Sequence, residues 1–179
     1  MYTLSNDFKA YIRRPETRKL TAAPVLEVVD LMCEKSTTNK DVEQACARHR
    51  ERDAVRLKLE SLDFLLGYAG YILEDGVITS GEAYDFAALK RVFSIQEGDF
   101  LQFRNFHVRE VLKKEFIRIY SDRFVDDKEE LLQVDLQGMF GLSYDQFEEM
   151  KQDEVIRALL NGANPADLDI SKLPQGFRV

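Results

Sequence analysis

Leu73-Glu-Asp-Gly-Val-Ile-Thr-Ser-Gly-Glu82 and, 47 positions later, Tyr120-Ser-Asp-Arg-Phe-Val-Asp-Asp-Lys-Glu129 are the two stretches on which the fold is read. Each follows a long helical stripe and precedes a shorter one. Before the first, Val55, Leu59, Leu62, Leu66, Ala69 and Leu73 recur every three or four residues. Before the second, Val108, Val111, Leu112, Phe116, Ile119 and Tyr120 do the same. That period places apolar side chains on one side of an α-helix. After the turns come Phe86, Leu89, Val92, Phe93 and then Leu132, Leu136, Met139, Phe140. The shift of 47 also aligns Asp75 with Asp122, Glu82 with Glu129, Leu89 with Leu136, Phe93 with Phe140 and Phe100 with Phe147.

Working outward, Val25, Val28, Val29 and Met32 mark another helix, and Tyr144, Phe147, Val155, Leu159 and Leu160 mark one over residues 144–161 that Asn161-Gly162 closes. Residues 39–53 are polar on most faces, so the helix there begins exposed or is broken. No alternating run reads as a strand, and nine Gly and four Pro are too few for a turn-rich β fold. The expectation is an all-α, compact helical bundle with two repeated helix–acidic turn–helix units. It comprises a helical extension over 1–54, the repeated region over 55–150, and a helix end and tail over 151–179. The tail is read as a helical turn around Ala166–Ile170, docked through Leu168, Ile170 and Leu173, then a loose end.

With 179 residues, 45% hydrophobic and 32% charged, the chain is neither disordered nor collagenous nor a disulfide scaffold. Residues 1–60 hold 12 basic and 10 acidic side chains, and residues 61–179 the other 13 and 22. An acidic body with net charge −7 repels phosphate backbones, so nucleic acid is not expected as the main ligand. Arg13, Arg14, Arg18 and Lys19 form the one basic cluster, which leaves peripheral contact with an anionic membrane open. The basic first third against the acidic remainder is compatible with self-association into a homo-oligomer. No run of 18 apolar residues spans a membrane, no secretory leader is legible, and the expected location is cytoplasmic. Cys33, Cys46 and His49 are read as packed or exposed singletons rather than a zinc set, which would need a fourth ligand.

The acidic turns admit two chemistries. In the first, Thr79 with Glu82 and Asp126 with Glu129 are helix starts, the hydroxyl or carboxylate taking a free amide while the glutamate reaches back. In the second, Asp75, Gly76, Ile78 and Glu82 match positions 5, 6, 8 and 12 of a calcium loop, but positions 1 and 3 are Tyr71 and Leu73. Calcium or another divalent cation would then require Glu74, Asp75 and Glu82 to meet Asp122, Asp126, Asp127 or Glu129. The adjacent acids Asp126-Asp127 and Glu129-Glu130 resemble those of metal-dependent hydrolases. On a helix, neighbours point about 100° apart and share no ligand. His49 and His107 are isolated, and no phosphate-cradling loop or nucleophile elbow occurs, so an enzyme is not expected. Phe100, Phe103 and Phe106 are read as core aromatics, or else as the lining of a groove for a partner helix.

The segments Glu74-Asp75-Gly76-Val77-Ile78-Thr79-Ser80-Gly81-Glu82 and Ser121-Asp122-Arg123-Phe124-Val125-Asp126-Asp127-Lys128-Glu129 resemble the repeated acidic turn of the TerB-like, tellurite-resistance-associated helical family. The likeness covers about residues 55–150. It implies a compact all-α domain with two related halves and an acidic, cation-binding surface. It also implies a non-enzymatic role in bacterial stress or phage defence through a protein partner. Carried over residue by residue, the metal candidates are Glu74, Asp75, Glu82, Asp122, Asp126 and Glu129. Arg123 departs from the pattern by replacing the turn glycine.

Overall fold

The computed structural model describes residues 2–34, 36–171, 173, 174 and 176. Among these are eight α-helices, one 3₁₀ turn and no strand. The helices are α1 (Asn6–Arg13), α2 (Pro15–Leu20), α3 (Ala23–Cys33), α4 (Asn39–Ile72), α5 (Ser80–Val92), α6 (Asp99–Ile119), α7 (Asp127–Phe140) and α8 (Tyr144–Leu160). The chain divides into two compact units, Met1–Asp99 and Phe100–Val179, so one acidic turn belongs to each.

In the first unit, α3 packs along α4, α4 against α5, and α1 against α2 and α5. The long α4 is two helices joined at Asp53, whose backbone is extended (φ −161°, ψ 92°). The Asp53 carboxylate accepts from the Arg56 amide at 2.9 Å, so the side chain that interrupts the helix also restarts it. This break corrects the start of the first stripe. Val55 lies in the new first turn and is exposed, and burial begins at Leu57. From there Ser61, Leu62, Leu65, Leu66, Tyr68, Ala69 and Ile72 face inward.

One face of α4 is aromatic, with Phe64, Tyr68 and Tyr71, and α1 packs on it. Phe8 meets the Tyr68 ring edge-on at 4.9 Å, while Tyr11 lies 5.1 Å from Tyr68 and 5.2 Å from Tyr71. A fully buried carboxylate holds the start of α1. Asp85 of α5 accepts from the Ser5 amide at 3.0 Å, from the Ser5 hydroxyl, and from the Tyr68 hydroxyl at 3.2 Å. Burying a carboxylate is costly without such donors, and here three supply the compensation. Burial and the Asp85 charge push the Tyr68 hydroxyl far above its ordinary value, and burial lifts Tyr11 to about 12, so both stay neutral donors.

In the second unit, α6 carries Val108, Leu112, Phe116, Ile119 and Tyr120 inward, with Phe116 edge-on to Phe147 of α8 at 5.2 Å. Phe100 is buried against Phe140, but Phe103 is half-buried and Phe106 is 70% exposed, so the three do not form one core row. A kink at Arg104 (φ −139°, ψ 27°) falls between Phe103 and Phe106 and breaks their helical register. His107 is exposed as well. The buried Gln133 accepts from the Tyr120 hydroxyl at 3.2 Å and from Lys151 at 3.4 Å. The tail turns through Pro165–Asp167 and docks by Leu168, whose neighbour Asp167 accepts from the Val125 amide at 2.7 Å. Of the loose end expected after Ile170, residues 172, 175 and 177–179 lie outside the described residues, and Leu173, expected to dock, is exposed.

Phe8→Ala removes the ring at the centre of the α1 contact and should lower unfolding stability by about 3–5 kcal/mol, read from the shift of the urea midpoint.

Candidate functional site

The first acidic turn is built by its own carboxylates. Gly76 has φ 79°, a left-handed turn in which glycine is unstrained. Asp75 accepts from the Val77 amide at 3.0 Å, closing the turn two residues on. Thr79 caps α5, its hydroxyl accepting from the Glu82 amide at 3.3 Å. The Glu82 carboxylate in turn accepts from the Thr79 amide at 2.9 Å and the Thr79 hydroxyl at 2.7 Å. Glu74 points to solvent and stands 3.5 Å from the Arg14 guanidinium, an exposed pair of small energetic weight. Tyr71 and Leu73, at the apolar positions of the calcium pattern, are occupied elsewhere. The Tyr71 ring lies under Arg14 at 4.2 Å, and Leu73 is buried.

The second turn makes the same bonds 47 residues later. Asp122 accepts from the Phe124 amide at 3.1 Å. Asp126 caps α7, accepting from the amides of Lys128 and Glu129 at 2.9 and 2.8 Å, and Glu129 accepts from the Asp126 amide at 3.0 Å. Arg123 takes the left-handed conformation of the missing glycine, with φ 70°. Among the described residues no ion pair from Arg123 accounts for its presence, and an arginine there carries the steric cost that glycine avoids. The agreement continues downstream. Ser94 (φ 56°) and Gly141 (φ 63°) end α5 and α7, with Ile95 donating to the Lys90 carbonyl at 2.8 Å and Leu142 to that of Gln137 at 3.0 Å. The next helix is then capped in both places, Asp99 accepting from the Gln96 amide at 2.7 Å and Gln146 from the Ser143 amide at 2.9 Å.

Three of the six metal candidates, Glu82, Asp126 and Glu129, therefore spend oxygens on helix-start amides, and Asp75 and Asp122 spend theirs on turn amides. Within either unit, no three described His, Cys, Asp or Glu side chains gather around one point. Asp127 and Glu130 are exposed and sit in the first turn of α7, where negative charge favours the helix. Burial raises the Glu129 pKa above the usual carboxylate range. Asp126 and Asp122 add to that shift, while the Asp126 amide and Arg118 oppose it.

Other candidates resolve into structural roles. Cys46 is buried and its thiol lies 3.3 Å from the Val92 carbonyl, while His49 pairs with Glu27 at 2.9 Å, so the two do not share a ligand. Burial pushes the Cys33 thiol up to about 11, which leaves it protonated at neutral pH. In the basic cluster Arg18 makes a two-pronged pair with Asp30 at 2.8 Å, leaving Arg13 and Lys19 as exposed cations. Along α8, Lys151 is buried beside Glu148 at 2.6 Å, under a cleft formed with Ile170, Ser171 and Pro174. Asp85 is the residue that sequence reasoning missed. Its place four residues before Leu89 and three after Glu82 put it on the inward face of α5, and that signal was present. Among the described residues, no helix is long and apolar enough to cross a membrane.

Comparison with protein-family models, with curated proteins and with solved structures finds no match.

Replacing Arg123 by Gly should stabilise the protein by about 0.5–1 kcal/mol, visible as a higher urea midpoint, because the left-handed conformation then carries no side-chain clash. Glu129→Gln retains the cap geometry and removes a carboxylate whose folded pKa is raised. The stability tied to such a group is present below its unfolded value and lost as pH rises through the folded one. The Gln variant should therefore match the parent near pH 4 and exceed it at pH 7, as measured by thermal unfolding across that range.

Proposed function

We propose that this chain is a non-enzymatic interaction domain of TerB-like type. In this reading it is built from two copies of one helix–acidic turn–helix unit and engages a protein partner in a bacterial stress or defence response. The observation that carries this reading is a pair of matched exposed side chains beside the two turns. Val77 and Phe124 are 53% and 52% exposed, and Tyr84 and Leu131, on the outer faces of α5 and α7, are 45% and 61% exposed. Val134 extends the second set and exposed Ala87 the first. Single exposed apolar residues are ordinary on a protein surface. The same registers exposed twice, next to rigidly capped turns, fit a surface kept for association. The turn carboxylates support the same reading from the other side: their oxygens hold backbone amides and fix the helices that present these residues.

Tyr84→Lys combined with Leu131→Lys should leave unfolding stability within about 0.5 kcal/mol per site, since both side chains are exposed. The same pair should abolish retention of a specific partner that the unaltered chain captures from a lysate of its source. Unchanged retention would overturn the proposed surface. Calcium, magnesium or manganese added to metal-stripped protein should leave the melting temperature in place. A rise of roughly 5–10 °C, lost with Asp75→Asn and Glu82→Gln, would instead make the turns a cation sensor.

A further inference from the structure

Asp127, Leu131, Val134 and Gly138 follow one another at steps of four, three and four residues, so they form one row along α7. All four are exposed, and from Leu131 to Gly138 the row runs about 10 Å, two helical turns. Glycine inside a helix costs about 1 kcal/mol relative to alanine. Nothing in the fold offsets that cost at Gly138, because a Cβ built there would meet no described atom within 4 Å. The missing side chain leaves the α7 backbone open to close approach from outside.

Carboxylates border the row on both sides. At about 100° per residue, Glu130 and Asp135 lie about 70° to either side of its midline. Neither has a lysine or arginine three or four positions away, and among the described residues neither forms an ion pair. Asp135 is half-buried, and burial raises its pKa above that of a free aspartate, so its charge lacks compensation in the isolated chain. The first unit does not repeat this face. The same row there is Ser80, Tyr84, Ala87 and Arg91, with Ala83 and the buried Ala88 at its borders. Where α7 has Gly138, α5 thus carries a guanidinium, which lies over the Tyr2 ring at 5.9 Å.

We propose that the outer face of α7 takes an amphipathic helix of a partner protein, apolar along one ridge and bordered on both sides by lysine or arginine, which crosses α7 most closely at Gly138. A narrow apolar row two turns long accommodates the ridge of one helix laid across it. Carboxylates on both borders select cations on both borders of the partner, and the same charges repel an anionic membrane or a nucleic acid. This inference rests on the interaction surface proposed above, and it assigns that surface a partner chemistry.

The probes are two synthetic helices of about 18 residues, each with a leucine ridge, one bordered by lysine and the other by glutamate. Binding to the full chain is followed by fluorescence anisotropy and mapped by amide shifts in NMR. The lysine-bordered helix should bind, shift the amides of α7, and weaken as salt rises from about 50 to 500 mM, while the glutamate-bordered one should not bind. Gly138→Gln should lower the affinity about tenfold or more without lowering the melting temperature, since glutamine is the better helix former. Glu130→Gln with Asp135→Asn should weaken binding and flatten its salt dependence. Asp145→Asn with Asp153→Asn, at exposed positions on α8, should leave the affinity within about twofold. Equal affinity for both helices, including none for either, refutes the inference, as does binding that the Gly138 and the paired Glu130 and Asp135 changes leave intact. The underlying reading fails separately. A natural partner lost with Tyr84→Lys and Leu131→Lys, yet held undiminished by the Glu130→Gln and Asp135→Asn chain, preserves the interaction surface and sinks the basic helix as its occupant.

Discussion

Every helix begins with amides that have no partner inside the helix, and the architecture of this protein follows from how they are satisfied. Ser5, Thr38, Thr79, Asp126 and Ser143 each cap a helix from their side chains, and Asp53 does so in the middle of α4. Four of these starts are reciprocal boxes in which the third helical residue bonds back to the cap. Each box fixes where the chain stops turning and where the next apolar stripe starts. The stripes of α5 and α7 then face inward without further adjustment. The acidic look of the two turns is a consequence of this requirement, because carboxylates are good acceptors for amides at the positive end of a helix.

A second constraint shapes the first unit. Asp85 is fully buried, and its donors all come from α1 or from α4, so the carboxylate is tolerable only while α1 is seated. The aromatic face of α4 has the same dependence: Phe64, Tyr68 and Tyr71 would be an exposed apolar strip without Phe8 and Tyr11. In the second unit the positions that match Gly67 and Tyr71 are the exposed cations Lys114 and Arg118, and the one that matches Tyr68 is Glu115, buried and paired with Arg118. The two units thus share their turns and differ on the face where a third helix docks.

Much of the site was legible from local chemistry. A box of Thr79 with Glu82, or Asp126 with Glu129, involves residues three apart, so their bonds follow once a helix forms. The Asp75 and Asp122 turns close over two residues in the same way. Reading the first turn as incomplete for calcium rested on Tyr71 and Leu73, and both side chains are held in packing. What local chemistry obscured was Arg123. Nothing in its type announces a left-handed backbone, and only the turn around it requires one. Phe106 misled because a three-residue spacing reads as one buried row until the kink at Arg104 interrupts it.

From the order of residues alone came the helical class, the capped acidic turns, the inward stripes and, for residues 39–53, the choice between an exposed start and a break, all of which depend on neighbours within a turn or two. Tertiary structure decided the rest. Asp85 and Ser5 are 80 positions apart, as are the partners in most of the α1 groove to within a few tens of residues. No local pattern links them, because their bond exists only after α1 has crossed onto α4 and α5. The same holds for Val125 and the tail, and for the exposure of Val55, which follows from the break at Asp53 rather than from the stripe it seemed to continue. Bonds along a helix are dictated by spacing, whereas bonds between helices depend on which faces meet once the chain has collapsed.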